Sequence, residues 1–113
     1  MSRDLGHVSD IATSARRIAG FVSQVTQDEF MADILRQSGV LYQLTIIGEA
    51  CRRISAEFRD ANPAVNWAAI IGLRNRIVHE YDDVDLEVVW RVATEQLPVL
   101  VSTLNALLPD GEE

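Results

Sequence analysis

The chain has 113 residues, of which 48% are hydrophobic and 24% charged, so it is long enough to bury one core. Its formal net charge of −7 argues against general nucleic-acid binding, and its single cysteine excludes an internal disulfide and fits a reducing cytoplasm. No apolar run reaches the roughly 18 residues of a transmembrane helix, and the N-terminus has no signal-peptide pattern. We expect one cytoplasmic domain over residues 1–113 without DNA or membrane contact, its core at about 5–108 and a flexible tail at 109–113.

The first half of the chain predicts two helices. Apolar residues between Leu5 and Val22 recur every three or four positions, as on one face of an amphipathic helix. Thr26 and Glu29 have the spacing of a capping box and predict the start of a long second helix. The side chains expected to face inward along this second helix are Phe30, Ile34, Leu41, Leu44, Ile47, Cys51, Ile54 and Phe58. Glycines inside a helix, such as Gly48, are unfavourable unless close packing requires them.

The second half predicts two more helices after a connector. Asn66 is a candidate N-cap for a third helix from Trp67 to about Glu80, and Asp85 can cap a fourth from Leu86 to about Leu108. Pro98 should kink or divide that last helix near residues 94–98. No strand-like alternation is visible. The sequence therefore predicts an all-α fold, an antiparallel four- to five-helix up-and-down bundle.

The segment 72–81, GLRNRIVHEY, raises a chemical question. On a helical wheel, Arg74 falls near the middle of an apolar stripe, and a buried arginine must find an anion or good acceptors. The stripe consists of Trp67, Ile70, Ile71, Ile77, Val78 and Tyr81. Asn75 and His79 are four residues apart, so the asparagine can hydrogen-bond the imidazole and fix its tautomer. The sequence thus places a cation, an amide, a titratable ring and a phenol around one helix.

Arg74 and His79 point about 140° apart on one helix, so a single helix does not aim both at one small ligand. Two copies related by a two-fold axis would line a cleft with both residue types, which predicts a homodimer whose interface is the apolar stripe. Histidine can exchange a proton near neutral pH, and arginine can stabilise charge on a phosphorane. This pair suits metal-free RNA cleavage through attack of the 2′-hydroxyl on the adjacent phosphorus. The alternative is that Arg74 pairs with an acid such as Glu49 and His79 is an ordinary helix-end residue.

All ten basic residues are arginines, and they are unevenly placed. Residues 48–79 hold five arginines against three acids, whereas residues 80–113 hold one against nine. Arginine suits phosphate because its planar fork donates two parallel hydrogen bonds. Arg52, Arg53 and Arg76 are therefore candidate RNA contacts, with a solvated face as the alternative. Glu49 either holds Arg74 in place or forms an intrahelical ion pair with Arg52.

Other notable residues have structural interpretations. Asp82, Asp83 and Asp85 are interpreted as caps and solvated loop rather than as metal ligands, and His7 as a surface residue without a partner. We therefore expect no metal, and we expect no cofactor, since the glycine loop that would cradle the phosphates of a nucleotide is absent. Three further residues are interpreted as parts of the core: Trp67, Trp90 and Cys51.

Three longer stretches of the sequence resemble a known protein family. IIGEACRRIS at 46–55, NWAAIIGLRNRIVHEYDDVDLEVVW at 66–90 and LPVL at 97–100 together resemble the HepT-like family of the HEPN superfamily. The resemblance implies an all-helical homodimeric ribonuclease toxin, encoded beside a minimal nucleotidyltransferase antitoxin usually called MntA. It implies that Arg74 and His79 are the catalytic pair, that Asn75 helps to position the site, and that Tyr81 is the tyrosine to which the antitoxin attaches AMP.

The predicted function is therefore a metal-independent RNA endonuclease toxin, neutralised by AMPylation of Tyr81. An AMP group there would add negative charge near Arg74 and His79 and repel an RNA backbone. Two alternatives stay open. The chain could be a non-catalytic helical subunit that presents substrate to a nucleotidyltransferase partner, or a structural helical dimerisation module.

Overall fold

The structure is a computed structural model, and it describes residues 2–107. Its helices are α1 (Ser2–Val22), α2 (Gln27–Met31), α3 (Ile34–Arg53), α4 (Ala56–Ala61), α5 (Trp67–His79), α6 (Leu86–Arg91) and α7 (Leu97–Asn105). A 3₁₀ turn (Tyr81–Asp83) follows α5, and a π-helical segment (Val92–Gln96) joins α6 to α7. Residues 2–107 contain no strand, which confirms the all-α prediction. None of the helices in this range is long and apolar enough to span a bilayer.

Helix α3 is the central helix, and both α1 and α5 pack against it. Contacts at both ends of α1 show that it runs antiparallel to α3. The carboxylate of Asp4 accepts hydrogen bonds from the backbone N–H and hydroxyl of Ser55, at 3.0 and 2.8 Å. The guanidinium of Arg36 donates to the carbonyl of Phe21, at 2.8 Å. Position 4 thus lies near 55 and position 21 near 36, so the middle of α1 runs along the middle of α3.

Helix α5 is also antiparallel to α3. The ring of Trp67, at the start of α5, lies edge-on to the ring of Phe58 just beyond the end of α3, with centroids 6.3 Å apart. Arg74, two turns later, lies against Gly48 in the interior of α3. The predicted up-and-down arrangement therefore holds for α1, α3 and α5. The core that these helices share with α6 and α7 is dominated by buried aliphatic side chains: Val8, Ile11, Ile18, Val40, Leu44, Ile47, Ile70, Ile77, Val89, Leu97, Leu100 and Leu104.

The predicted long second helix is in fact three helices, α2, α3 and α4. The capping box of Thr26 and Glu29 is present at the start of α2, as predicted. Asp33 then accepts from the backbone N–H of Arg36 and starts α3, and Ser55 accepts from Phe58 N–H and starts α4. Short polar side chains compete for backbone groups and favour helix starts over helix interiors, which the apolar periodicity alone does not reveal.

The first break also overturns one inward assignment. Ile34 is 76% exposed because it begins α3 rather than continuing α2, so its side chain leaves the inward face. Most of the remaining predicted inward set is buried: Phe30, Leu41, Leu44, Ile47, Cys51 and Ile54.

The predictions for the second half of the chain agree more closely with the structure. Asn66 and Asp85 cap α5 and α6 through their side chains. The last helix is interrupted by the π-helical segment just before Pro98, which lies in the first turn of α7, where its missing N–H costs nothing. α7 ends at Asn105, about three residues before the predicted end near Leu108, and the predicted tail at 109–113 lies outside the described residues.

Candidate functional site

α5 approaches α3 very closely at Gly48. A Cβ atom at position 48 would lie 2.1 Å from the Cβ of Arg74 and 2.6 Å from its Cγ, which is not a permissible contact. The glycine therefore lets α5 bring the base of the Arg74 side chain directly onto the backbone of α3. This close packing explains why α3 has a glycine at this position, although a glycine inside a helix lowers the stability of the helix.

Arg74 is held in one orientation by two acceptors. Its Nη2 atom lies 3.0 Å from Oε1 of Glu49, and its Nη1 donates to Oδ1 of Asn75 at 2.9 Å. The side chain is 21% exposed, while its Nε atom is buried without a hydrogen-bond partner in the described part of the chain. The anion that the sequence required for Arg74 is thus Glu49, one residue beyond the glycine that admits it. The guanidinium is fixed yet still reaches the surface.

Glu49 forms ion pairs with three arginines. Besides Arg74, it binds Nη2 of Arg52 at 2.8 Å and Nε of Arg53 at 2.8 Å, both along its own helix. The hydrogen bonds from Arg52 and Arg53, with the added charge of Arg74, lower the pKa of Glu49 from its ordinary 4.5 to about 2. The predicted intrahelical pair with Arg52 and the predicted hold on Arg74 therefore coexist. Three guanidinium groups around one carboxylate leave an excess of positive charge on this face.

The low pKa of Glu49 predicts an acid-range effect on stability. Because the pKa falls from 4.5 to about 2 on folding, the stabilisation from the ionised carboxylate is complete above about pH 4.5 and is lost as the pH falls towards 2. We expect Glu49→Gln to show a flatter decline of the free energy of unfolding over this interval than the natural chain. Urea unfolding midpoints at successive pH values measure it, with exposed Glu95 replaced by glutamine as the control. An equally steep decline in Glu49→Gln would contradict the assignment.

The apolar stripe predicted for α5 is only partly buried. Its buried members are Trp67, Ile70 and Ile77, together with Leu73, which the helical wheel did not assign to it. Val78 and Tyr81, predicted to belong to the stripe, are 48% and 54% exposed. α3 covers only one flank of α5, and Arg74 lies at the edge between the covered and the open flank.

Asn75 differs from its predicted contact. Its side-chain oxygen accepts from Arg74, and the structure gives no hydrogen bond between Asn75 and His79 within residues 2–107. The guanidinium is adjacent, fixed and charged, so it is the stronger donor for this amide oxygen. Asn75 therefore orients the arginine rather than the imidazole.

His79 ends α5 as an exposed side chain, and Tyr81 follows it in the 3₁₀ turn. His79 is about 7.5 Å further along the helix axis than Arg74 and about 140° round it, so one chain does not bring the two together. Arg76 lies on the opposite side of α5, near Asp85, which caps α6, and Val88 inside α6. Of the candidate RNA contacts, Arg52 and Arg53 share the face of Arg74, and Arg76 does not.

A shallow pocket of about 410 Å³ adjoins Arg74, and the sequence did not indicate it. Its walls include His7 and Asp10 from α1 as well as Glu49 and Arg53 from α3. His7 was interpreted as a surface residue without a partner. It is half-buried and shares this pocket with Arg74, because the antiparallel pairing of α1 with α3 brings the first turns of α1 beside the last turns of α3. No spacing along the chain signals that residues 67 positions apart line the same pocket.

The residues assigned to the core behave as predicted. Trp67 is buried, and the ring of Trp90 packs on that of Phe30 with centroids 5.2 Å apart. Burial raises the pKa of the Cys51 thiol to about 12, so it is neither accessible nor ionised at neutral pH. These residues support the bundle and take no part in the site.

Fold and site together define an all-helical protein with an anchored arginine and an exposed histidine on one helix. The chain matches the model of the family described as "Ribonuclease HepT-like" over residues 11–107, and it belongs to this family. It is 35% identical to a "Putative RNase" of Methanocaldococcus jannaschii, over 79% of this chain and 82% of that protein. It is 31% identical to the "Probable ribonuclease HepT" of Thermococcus cleftensis, over 89% of this chain and 92% of that protein. No solved structure matches at a significant level.

Proposed function

We propose that this protein is an RNA endonuclease of the toxin type, with Arg74 and His79 as its catalytic residues. Membership of a ribonuclease family supports the activity. The observation that carries the assignment of the site is the anchoring of Arg74: two acceptors and a glycine contact fix a guanidinium at the surface, on the helix that ends in exposed His79. The same ion pair with Glu49 also joins α5 to α3, as the structural alternative for Arg74 predicted.

In the proposed reaction, the imidazole of His79 accepts the proton of a ribose 2′-hydroxyl, and the 2′-oxygen attacks the adjacent phosphorus. The bond from phosphorus to the 5′-oxygen breaks, and that oxygen takes a proton from solvent water and leaves as a 5′-hydroxyl, beside a 2′,3′-cyclic phosphate. The imidazolium of His79 then returns its proton to the solvent. Arg74 donates hydrogen bonds to the phosphoryl oxygens as charge builds on them, and Asn75 and Glu49 keep its fork in place. Proton acceptance and charge stabilisation both come from side chains, so the proposed reaction is independent of metal.

The active site is proposed to be shared between two copies of the chain. Within one chain Arg74 and His79 diverge, so Arg74 of one protomer and His79 of the other would have to converge. Val78 and Tyr81 leave an apolar strip exposed on this flank of α5, and Tyr42, 65% exposed, lies two turns from Glu49 on the same face of α3. The antiparallel register brings that part of α3 beside the end of α5. An exposed apolar patch next to the site is the expected mark of an interface.

Tyr81 is proposed as the residue that an MntA-like nucleotidyltransferase modifies with AMP. Its phenol is exposed on a turn, which suits access by a second enzyme, and it stands seven positions beyond Arg74. The phosphate of the adduct would compete with RNA for the guanidinium, and its bulk would obstruct the cleft. The modifying enzyme would supply the nucleotide site, so this chain needs no cofactor of its own.

We expect Tyr81→Phe to abolish AMPylation and to keep RNA cleavage, because the ring stays and only the acceptor hydroxyl is lost. The measurement is the intact mass after incubation with the nucleotidyltransferase and ATP, followed by an RNA cleavage assay. Tyr42→Phe is the matched control, since the chain has two tyrosines and both are exposed. Retained modification in Tyr81→Phe, or its loss in Tyr42→Phe, would contradict the assignment of Tyr81.

A further inference from the structure

The pocket between α1 and α3 is lined in part by residues that have no role in the reaction proposed at Arg74. Arg74 forms one end of it, and Arg53, Glu49, Asp10 and His7 stand along its walls. Its volume of about 410 Å³ is within the range of sites that bind small ligands. We propose, on the basis of the proposed function, that this pocket holds the phosphate and ribose of the RNA nucleotide next to the bond that is cleaved.

Arg53 is free to bind a second phosphate, besides the one that Arg74 would bind. Arg53 contacts Glu49 through Nε only, and its terminal amino groups make no hydrogen bond to the described part of the chain. Its side chain is 62% exposed, so these groups can turn towards the pocket. Glu49 is neutralised by the three arginines around it and does not repel an incoming anion. The imidazole of His7 adds a donor from the opposite wall.

Asp10, on the α1 side of the pocket, is suited to bind a ribose hydroxyl rather than a phosphate. Asp10 lies one turn beyond His7 on α1, is exposed, and lines the same pocket. A carboxylate accepts hydrogen bonds and donates none, so the group that it recognises beside a phosphate is a hydroxyl. The 2′-hydroxyl is what distinguishes RNA from DNA at a protein site. A pocket with Arg53 and His7 for the phosphate and Asp10 for the hydroxyl therefore selects a ribonucleotide.

The test measures binding separately from cleavage. All variants carry His79→Ala, so the RNA stays intact, and the probes are a short single-stranded RNA and the DNA of the same sequence. Arg53→Ala should weaken RNA binding about tenfold, the value of one charge-assisted hydrogen bond, and reduce the salt dependence by about 0.7 in the log–log slope. His7→Ala should also weaken RNA binding. Arg17→Ala, an exposed arginine on α1 that does not line the pocket, is the matched control and should change little.

Asp10→Ala tests the ribose contact. It should reduce the preference for RNA over DNA, because the lost acceptor affects only the probe that carries 2′-hydroxyls. Equal effects of Arg53→Ala and Arg17→Ala would overturn the pocket as a phosphate site. An equal gain in binding of RNA and DNA by Asp10→Ala would show simple repulsion and overturn the ribose contact. After either of these two results, the proposed function would still stand if the natural chain cleaves RNA. Absence of cleavage by the natural chain would refute the proposed function itself.

Discussion

Replacement of His79 by alanine should lower the rate of RNA cleavage by about 10²- to 10⁴-fold, the usual contribution of a general base. His79 is exposed at the end of α5 and buries nothing, so the loss should come without a change of fold. The measurement is cleavage of RNA by the purified chain in excess EDTA, with the product ends identified as 2′,3′-cyclic phosphates. Melting curves of the variant and the natural chain should coincide within a few degrees.

The possible results with the natural chain separate the hypotheses. Cleavage by the natural chain and not by His79→Ala establishes a metal-independent nuclease that uses His79. Absence of cleavage from a chain of unmodified mass would contradict the nuclease and favour a non-catalytic partner of a nucleotidyltransferase. Absence of cleavage from a chain whose mass includes adenylyl groups would show that it was purified already inhibited, and Tyr81→Phe then becomes the protein to assay.

Mixing two inactive variants tests whether the site is shared between protomers. Arg74→Gln and His79→Ala should each be inactive alone. If the site combines Arg74 of one chain with His79 of the other, random exchange of subunits should restore about a quarter of the natural activity, since half of the dimers are mixed and each has one intact site of two. If both residues act within one chain, mixing restores nothing. Glutamine at position 74 keeps much of the packing against Gly48, which limits loss of fold.

Replacement of Gly48 by alanine should destabilise the protein by about 1–3 kcal/mol, although the same change in an ordinary helix stabilises it by about 1 kcal/mol. The reversal of sign follows from the contact with Arg74, where the new Cβ would lie 2.1 Å from another Cβ. A rotamer change cannot move that atom, so α3 and α5 must separate. Because Arg74 moves with α5, RNA cleavage should fall together with stability.

Urea unfolding measures the change in free energy at position 48. Gly72→Ala is the matched control, because Gly72 lies inside α5 and a Cβ there would meet nothing within 4 Å. That variant should be as stable as the natural chain or more stable, by up to about 1 kcal/mol. An increase in stability for both variants would mean that α5 does not pack on α3 as closely as described.

Local signals in the sequence predicted much of the fold. Helix starts at Thr26, Asn66 and Asp85 are each determined by a side chain that bonds a backbone N–H two or three residues ahead, so a short window suffices to find them. The break at Pro98 has an equally local cause. The starts at Asp33 and Ser55 have the same cause and were missed because the apolar spacing continues across both breaks.

The sequence by itself determined the helical class of this protein, the family pattern around Arg74, Asn75, His79 and Tyr81, and the need of Arg74 for an anion. Only the tertiary structure decided which acid meets that need, how Gly48 admits the guanidinium, and which flank of α5 stays open. It also brought His7 of α1 into the pocket beside Arg74. The physical reason is the range of the interactions. Caps and periodicity act within a few residues, whereas charge pairing and close packing depend on how helices distant in sequence meet.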